Sequence, residues 1–319
     1  MSETGQSVPD ITVLTSLADY FEVSLDALVG YTVQARRQED LVSHIRLLAR
    51  QKKYTEAIHA AQEALRRYPN HFSVVYESAR LYGLSGMERS HPDELRMAIS
   101  LMQRAMSLME QNANPALRME TLWSCMGLYH ANLGEREQAI RCYEAGNFAG
   151  VNDIAIANSH AALGRYEQAL PTLTHGLVSS LTRVYNAGIG ALRCLLALGE
   201  LTEAEVLSEW LLHVLDGMDA TPGSYVLKLQ AMVHGWSAAV NLRLGRQEDA
   251  GSHIRHAADC AARFDAAPDH SLRSIRFYRG EEKALSDGLG ETAMDALRRI
   301  IDQNSEVSQS LTHMLSTHE

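Results

Sequence analysis

Four residues that could bind zinc follow one another along one predicted helix: Asp249, His253, His256 and Cys260. Their steps of four, three and four residues place them on one helical face. The apolar residues between Ala250 and Ala257 already define the packed stripe of that helix, which puts the four on its flank. We therefore favour an ordinary helix flank and predict no metal ion and no other cofactor.

Motifs for catalysis are missing from the sequence. It contains no G-x-S-x-G elbow, no G-x-x-x-x-G-K-[ST] phosphate loop and no H-E-x-x-H zinc motif. Its glycines are scattered singly, whereas a phosphate loop needs them clustered. The histidines, such as His91, His175 and His213, have no nucleophile at a motif spacing. We predict that the protein is not an enzyme.

Polar side chains recur at fixed distances before a repeated Leu-Gly turn. The residues six positions before successive turns are Arg46, Arg80, Leu128, Asn158, Arg193 and Ala239. Asn186 lies thirteen positions before its turn. Asparagine can pair with a peptide backbone, and arginine can hold a carboxylate with two parallel bonds. These positions predict a groove for an extended or helical peptide, contacted by Arg46, Arg80, Asn158, Asn186 and Arg193. The alternative is that they are ordinary solvated or inter-repeat residues.

These turns belong to an internal repeat, and the repeat predicts the helices that carry the polar residues. The phrase Leu-Gly-x-x-x-x-Ala begins at Leu133, Leu163, Leu198 and Leu244. The glycine supplies the positive φ that ends one helix, and the alanine lets the next helix pack closely. In an earlier copy Lys52 replaces the glycine, and in another the first helix is predicted to end at Gly86 and the second to follow Pro92. The pattern predicts six helix pairs between about residues 39 and 264.

Two of these copies carry a more specific signature. Tyr54-Thr55-Glu56-Ala57, continuing to Pro69, and Tyr166-Glu167-Gln168-Ala169 resemble the second helix of the tetratricopeptide (TPR) repeat. The resemblance implies an all-α fold, a right-handed α-superhelix of TPR-like helix pairs whose first helices line a concave groove. The repeat spacing scatters around the ~34 residues of that family. Pro171 lies inside a predicted second helix, where we expect a kink or a late helix start.

The domain boundaries follow from this pattern. We assign residues 31–268 to the TPR-like array and 269–319 to a C-terminal capping helix and tail. The apolar positions between residues 293 and 301 repeat at three and four, so this helix is expected to cap the array. The polar tail from Asp302 is expected to fray.

Residues 1–30 have a different character. Ile11, Leu14, Leu17, Ala18 and Phe21 form the apolar face of a short helix, and Ser24 caps a second helix that Gly30 ends. This stretch resembles the last two helices of an XRE-type (Cro and phage-repressor-like) helix-turn-helix domain. The matching residues are Glu3, Gly5, Ser7, Pro9, Asp10, Ile11, Leu14, Leu17, Ala18, Phe21, Val23, Ser24, Leu25, Asp26, Leu28 and Gly30. In that family three earlier helices, including the one that reads DNA, precede this point, and we expect them to be missing from this chain.

Together the two resemblances imply the sensor and dimerisation region of a bacterial transcriptional regulator, a homodimer that binds a peptide or protein. It would reach DNA only through the missing head domain. The segment from Asp287 to Met294 looks like the ends of such proteins. The alternative is a TPR adaptor that binds a protein partner and never touches DNA.

The composition argues against membrane-spanning and broadly nucleic-acid-binding classes of protein. The chain has 319 residues, 46% of them hydrophobic, and a formal net charge of -10. Its apolar runs are shorter than the ~20 residues that a bilayer requires, and its four cysteines form no C-x-x-C pair, so we expect a cytoplasmic protein. The acidic excess argues against a surface-wide nucleic-acid platform, although residues 31–70 hold eight Lys or Arg against four acids.

Overall fold

The computed structural model describes residues 10–28, 32–219, 221–285 and 288–317. In those ranges the chain is all-helical, and its only β pairings are isolated bridges. No helix in the described ranges combines the length and the apolar character needed to cross a bilayer. Several residues of the head resemblance lie outside the described residues, namely Glu3, Gly5, Ser7, Pro9 and Gly30, as does Asp287 of the closing segment.

The chain divides into two compact units, one up to Leu163 and one from Gly164. The helices of the first unit are α1 (Ile11–Tyr20), α2 (Leu25–Leu28), α3 (Thr32–Arg50), α4 (Tyr54–Arg67), α5 (Phe72–Glu88), α6 (Pro92–Ser107), α7 (Met119–Asn132), α8 (Arg136–Ala145) and α9 (Asp153–Ala162). From α3 to α8 each helix packs against the next one along the chain, and α3 also contacts α5. Their core includes Phe72, Met102 and Leu122.

The second unit begins with one long helix. Its helices are α10 (Tyr166–Leu198), α11 (Leu201–Leu215), α12 (Tyr225–Arg243), α13 (Gln247–Ala266), α14 (Ala293–Gln303) and α15 (Ser308–Ser316). The pair α12 and α13 forms its centre, and α14 and α15 pack against both. An irregular segment with a 3-10 turn at Leu272–Ser274 connects α13 to α14.

The repeated turns have the predicted backbone. Gly134, Gly164, Gly199 and Gly245 all have φ between 76° and 80°, the left-handed conformation that glycine adopts without strain. Lys52, which replaces glycine in the first copy, also has a positive φ, of 57°. The alanines that follow these turns are buried in the helix contacts: Ala57, Ala139, Ala169, Ala204 and Ala250.

Two local predictions were wrong, and one alternative of a third is excluded. Helix α5 continues past Gly86 to Glu88, because this glycine serves packing: a Cβ there would lie 2.9 Å from Cγ of Leu95. Helix α10 joins the second helix of the fourth pair to the first helix of the fifth and continues unbroken through Gly176. Of the two alternatives predicted at Pro171, the late helix start is excluded, because α10 begins at Tyr166 and runs through Pro171.

The two ends of the chain also differ from expectation. The tail after residue 302 does not simply fray, because Leu311 and Leu315 are buried on one face of α15. The predicted cap α14 packs against α12 and α13, as its apolar pattern indicated. In α1 only Ala18 of the predicted apolar face is buried, whereas Ile11 and Phe21 are exposed.

Candidate functional site

Three first helices of the first unit line a groove of about 550 Å³. We call it the arginine groove, and its residues are Ile45, Arg46, Ala49, Arg50, Glu77, Arg80, Leu81, Leu84, Met87, Cys125, Leu128 and Tyr129. Helix α3 contributes the first four, α5 the next five and α7 the last three. Arg46, Arg80 and Leu128 lie at the equivalent position six residues before a turn, so the repeat register explains why they meet.

A buried carboxylate joins the two predicted arginines. The Glu77 side chain is 6% exposed, and its Oε1 accepts a hydrogen bond of 2.5 Å from Nη2 of Arg46. Its Oε2 accepts a hydrogen bond of 3.3 Å from Nη1 of Arg80. The arginine side chains are 49% and 54% exposed. Each guanidinium has five N–H donors in a fork, so both can offer donors to a ligand while Glu77 holds them.

The electrostatics of the arginine groove favour an anion. Three arginines and one glutamate line it, a formal charge of +2. The hydrogen bond to Glu77 raises the pKa of Arg46, against the smaller opposing effect of burial. Burial raises the pKa of the Cys125 thiol, with Arg80 opposing, so this cysteine is protonated at neutral pH and is not an activated nucleophile.

A second cavity, of about 430 Å³, adjoins the arginine groove, because Arg46 lines both. It is also lined by Glu39 and Ser73, which lie thirteen residues before their turns, and by His71. Burial lowers the pKa of His71, so its imidazole is neutral at pH 7. The positions six and thirteen residues before each turn therefore line two adjoining cavities over α3 and α5.

The other predicted groove residues lie apart from this surface. Asn158 is exposed on α9. Asn186 lines a cavity of about 350 Å³ in the second unit. Arg193 lines a smaller one of about 240 Å³, together with Trp236 and Arg243. The five predicted residues thus do not share one cavity. Two of them, Arg46 and Arg80, contact the same residue, Glu77.

The predicted zinc face is divided between two environments. Cys260 packs in an apolar cluster with Phe264, and burial raises its pKa to about 11. Nδ1 of His253 lies 3.0 Å from Nδ1 of His234 on α12, and the ring of His256 stacks on that of His234 with centroids 5.3 Å apart. Across the described ranges, no group of three or more His, Cys, Asp or Glu residues is arranged to hold a metal ion.

Sequence inspection missed the residue that organises the arginine groove. Glu77 lies three residues before Arg80 on α5, a spacing that indicates a helical ion pair. That spacing is common on solvated helix faces and carries no sign that the carboxylate is buried. The contact with Arg46, from a different helix, has no signal in the sequence.

Comparison with known proteins identifies no family. No protein-family model matches the chain, and no curated protein matches it significantly. The TPR and XRE-type resemblances therefore rest on the residues quoted above.

Proposed function

We propose that the chain binds an acidic peptide or an acidic segment of a protein in the arginine groove. The observation that carries the proposal is the Arg46–Glu77–Arg80 arrangement, in which one buried carboxylate orients two half-exposed guanidinium groups. Arginine forks that are oriented before binding lose less freedom when they grip a carboxylate. The groove thus combines a positive charge with guanidinium groups that are oriented before the ligand binds.

The lining around the arginines suits a peptide better than a simple anion. Leu81, Leu84 and Leu128 provide apolar surface beside the charged groups. The adjoining cavity adds polar groups from Glu39 and Ser73. A ligand that spans both cavities would present a carboxylate, apolar side chains and backbone amides, which together describe a peptide.

The test measures binding of fluorescein-labelled peptide pools of equal length to the full chain by fluorescence polarisation. One pool is rich in Asp and Glu, one in Lys and one in neutral residues. We expect the acidic pool to bind most tightly. The double variant Arg46→Gln/Arg80→Gln should weaken it by roughly tenfold or more, because each hydrogen bond to a charged group contributes about 1.5–3 kcal/mol.

The matched control is Arg66→Gln/Arg67→Gln, which removes the same charge from exposed positions of α4. It should leave the affinity within about twofold, since distant surface charges are screened. Equal losses in both double variants would show that net charge, and not the groove, decides binding. Equal affinity for all three pools would contradict an acidic ligand.

At the level of the whole protein we propose the sensor region of a transcriptional regulator, with a TPR adaptor as the competing hypothesis. The proposal rests on the XRE-type resemblance of residues 1–30 and on the arginine groove. Reading the gene upstream of Met1 distinguishes the two. An in-frame helix-turn-helix sequence with a recognition helix would favour the regulator. An in-frame stop codon directly before Met1 would favour the adaptor.

A further inference from the structure

The second unit contains a cavity that the proposed function does not use. It has a volume of about 350 Å³ and lies between the middle of α10, the C-terminal end of α11, the N-terminal half of α12 and the segment around Ile275. Such a volume falls within the range of ~300–1,000 Å³ typical of small-molecule sites.

The chemistry of the lining is almost entirely apolar. Leucine, isoleucine, valine and methionine side chains form most of the wall, and the described lining residues include no charged side chain. The Tyr185 hydroxyl is buried and donates to Sδ of Met232 at 3.7 Å. Thr182 and Asn186 are exposed and line the cavity, so they mark its polar mouth. The Thr182 hydroxyl donates to the carbonyl of Val178, whereas Asn186 offers a side-chain amide.

The walls are held by contacts between the elements that form them. Gly188 brings α10 against α11, because a Cβ there would lie 2.7 Å from Cδ2 of Leu211. The Arg276 amide donates to the Met218 carbonyl at 2.8 Å, which ties the segment of Ile275 to the end of α11. The buried Ser224 hydroxyl donates to the carbonyl of Ser274 at 2.7 Å, which ties the same segment to the start of α12. The cavity therefore does not depend on its own contents for its shape.

We propose that this cavity binds an uncharged small molecule with an aliphatic chain and a single hydrogen-bonding end that meets Asn186. Apolar ligands enter poorly hydrated, preformed apolar pockets favourably. A ligand charge would find no ionic partner among the described lining residues, whereas the Asn186 amide can pair with an uncharged hydrogen-bonding end. At about 350 Å³ the cavity holds a chain of about ten carbons. This site is independent of the arginine groove, so either proposal can fail alone.

The probe is 1-decanol, titrated into the full chain and followed by saturation-transfer NMR, with thermal unfolding as a second readout. We expect saturable one-to-one binding and a rise in the unfolding temperature with ligand concentration. Decanoate is expected to bind more weakly, because its carboxylate would find no cation among the described lining residues. Equal or tighter binding of decanoate would overturn the assignment of an uncharged ligand.

Blocking variants locate the binding. Thr182→Trp and Asn186→Trp place a large side chain at the mouth, on exposed positions of α10. Each should weaken 1-decanol binding roughly tenfold or more. The control Ala187→Trp adds the same side chain to an exposed neighbour that is not part of the lining and should leave the affinity unchanged. No saturable binding to the parent chain, or equal effects of all three substitutions, would overturn the proposal.

Discussion

Replacing Glu77 by glutamine tests whether one buried carboxylate organises the arginine groove. The substitution keeps the shape of the side chain and removes its charge. It weakens two charge-assisted hydrogen bonds, at 2.5 Å to Arg46 and 3.3 Å to Arg80. The amide can still accept from one guanidinium, but its NH2 group faces the other as donor against donor.

The expected loss of stability lies between two limits. Breaking a fully buried ion pair costs about 3–5 kcal/mol, and an exposed pair contributes about 0–1 kcal/mol. The carboxylate here is 6% exposed, whereas both arginines are about half exposed and can be solvated by water when unpaired. We therefore expect the free energy of unfolding of the first unit to fall by about 1–2 kcal/mol.

The assay must report on the first unit alone, because a two-unit chain need not unfold in one step. Trp123 lies in the first unit, and the other two tryptophans, Trp210 and Trp236, lie in the second. In a Trp210→Phe/Trp236→Phe background, urea unfolding followed by fluorescence reports on Trp123. Glu77→Gln should lower the urea midpoint without changing the slope.

The control is Glu63→Gln, which removes the carboxylate of an exposed ion pair with Arg67 at 3.5 Å. It should change the free energy of unfolding by less than about 0.5 kcal/mol. If Glu77→Gln costs no more than this control, the carboxylate does not organise the arginines and the reasoning is refuted. A double-mutant cycle with Arg46→Gln should give a coupling energy of about 1 kcal/mol.

Two further predictions concern the second unit, followed by Trp236 fluorescence in a Trp123→Phe/Trp210→Phe background. Gly188→Ala should destabilise it by about 1–3 kcal/mol through the clash with Leu211, whereas Gly190→Ala, which meets open space on the same helix, should leave it equally or more stable. Burial, with two neighbouring histidines, lowers the pKa of His234 to about 4, so only the unfolded state takes up this proton as the pH falls below about 6.5. The free energy of unfolding of the second unit should therefore fall by about 2 kcal/mol between pH 7 and pH 4. The variant His234→Gln should show a smaller fall. The same pH profile in the variant and the parent chain would contradict this prediction.

The helix pairs could be predicted from sequence because their turns use a residue with a special backbone. Glycine at a left-handed turn and alanine at the close contact both follow from local geometry, and both are found at all four Leu-Gly turns. The long helix α10 could not be predicted in the same way. A repeat pattern implies a break after each helix, whereas α10 runs on through Pro171 and Gly176, the residue types that usually indicate such a break.

The candidate site was partly predictable for a related reason. The register from each turn puts Arg46, Arg80 and Leu128 at equivalent positions, and in the first unit these three residues line one groove. That they bind a ligand is still a prediction. The same register applied to Asn158 gives an exposed residue on α9, because a register specifies a helix face and does not specify what lies opposite that face.

The acidic excess of the chain does not oppose an acidic ligand in the arginine groove. The formal charge is -10 overall and +2 among the groove residues, which leaves -12 for the rest of the chain. At physiological ionic strength exposed charges beyond about 8 Å are largely screened, whereas a carboxylate in contact with Arg46 and Arg80 is not. The groove residues therefore decide the sign of the interaction at contact. The remaining negative charge slows the approach of an acidic ligand, so that selectivity arises from the fit to two oriented arginines and not from long-range attraction.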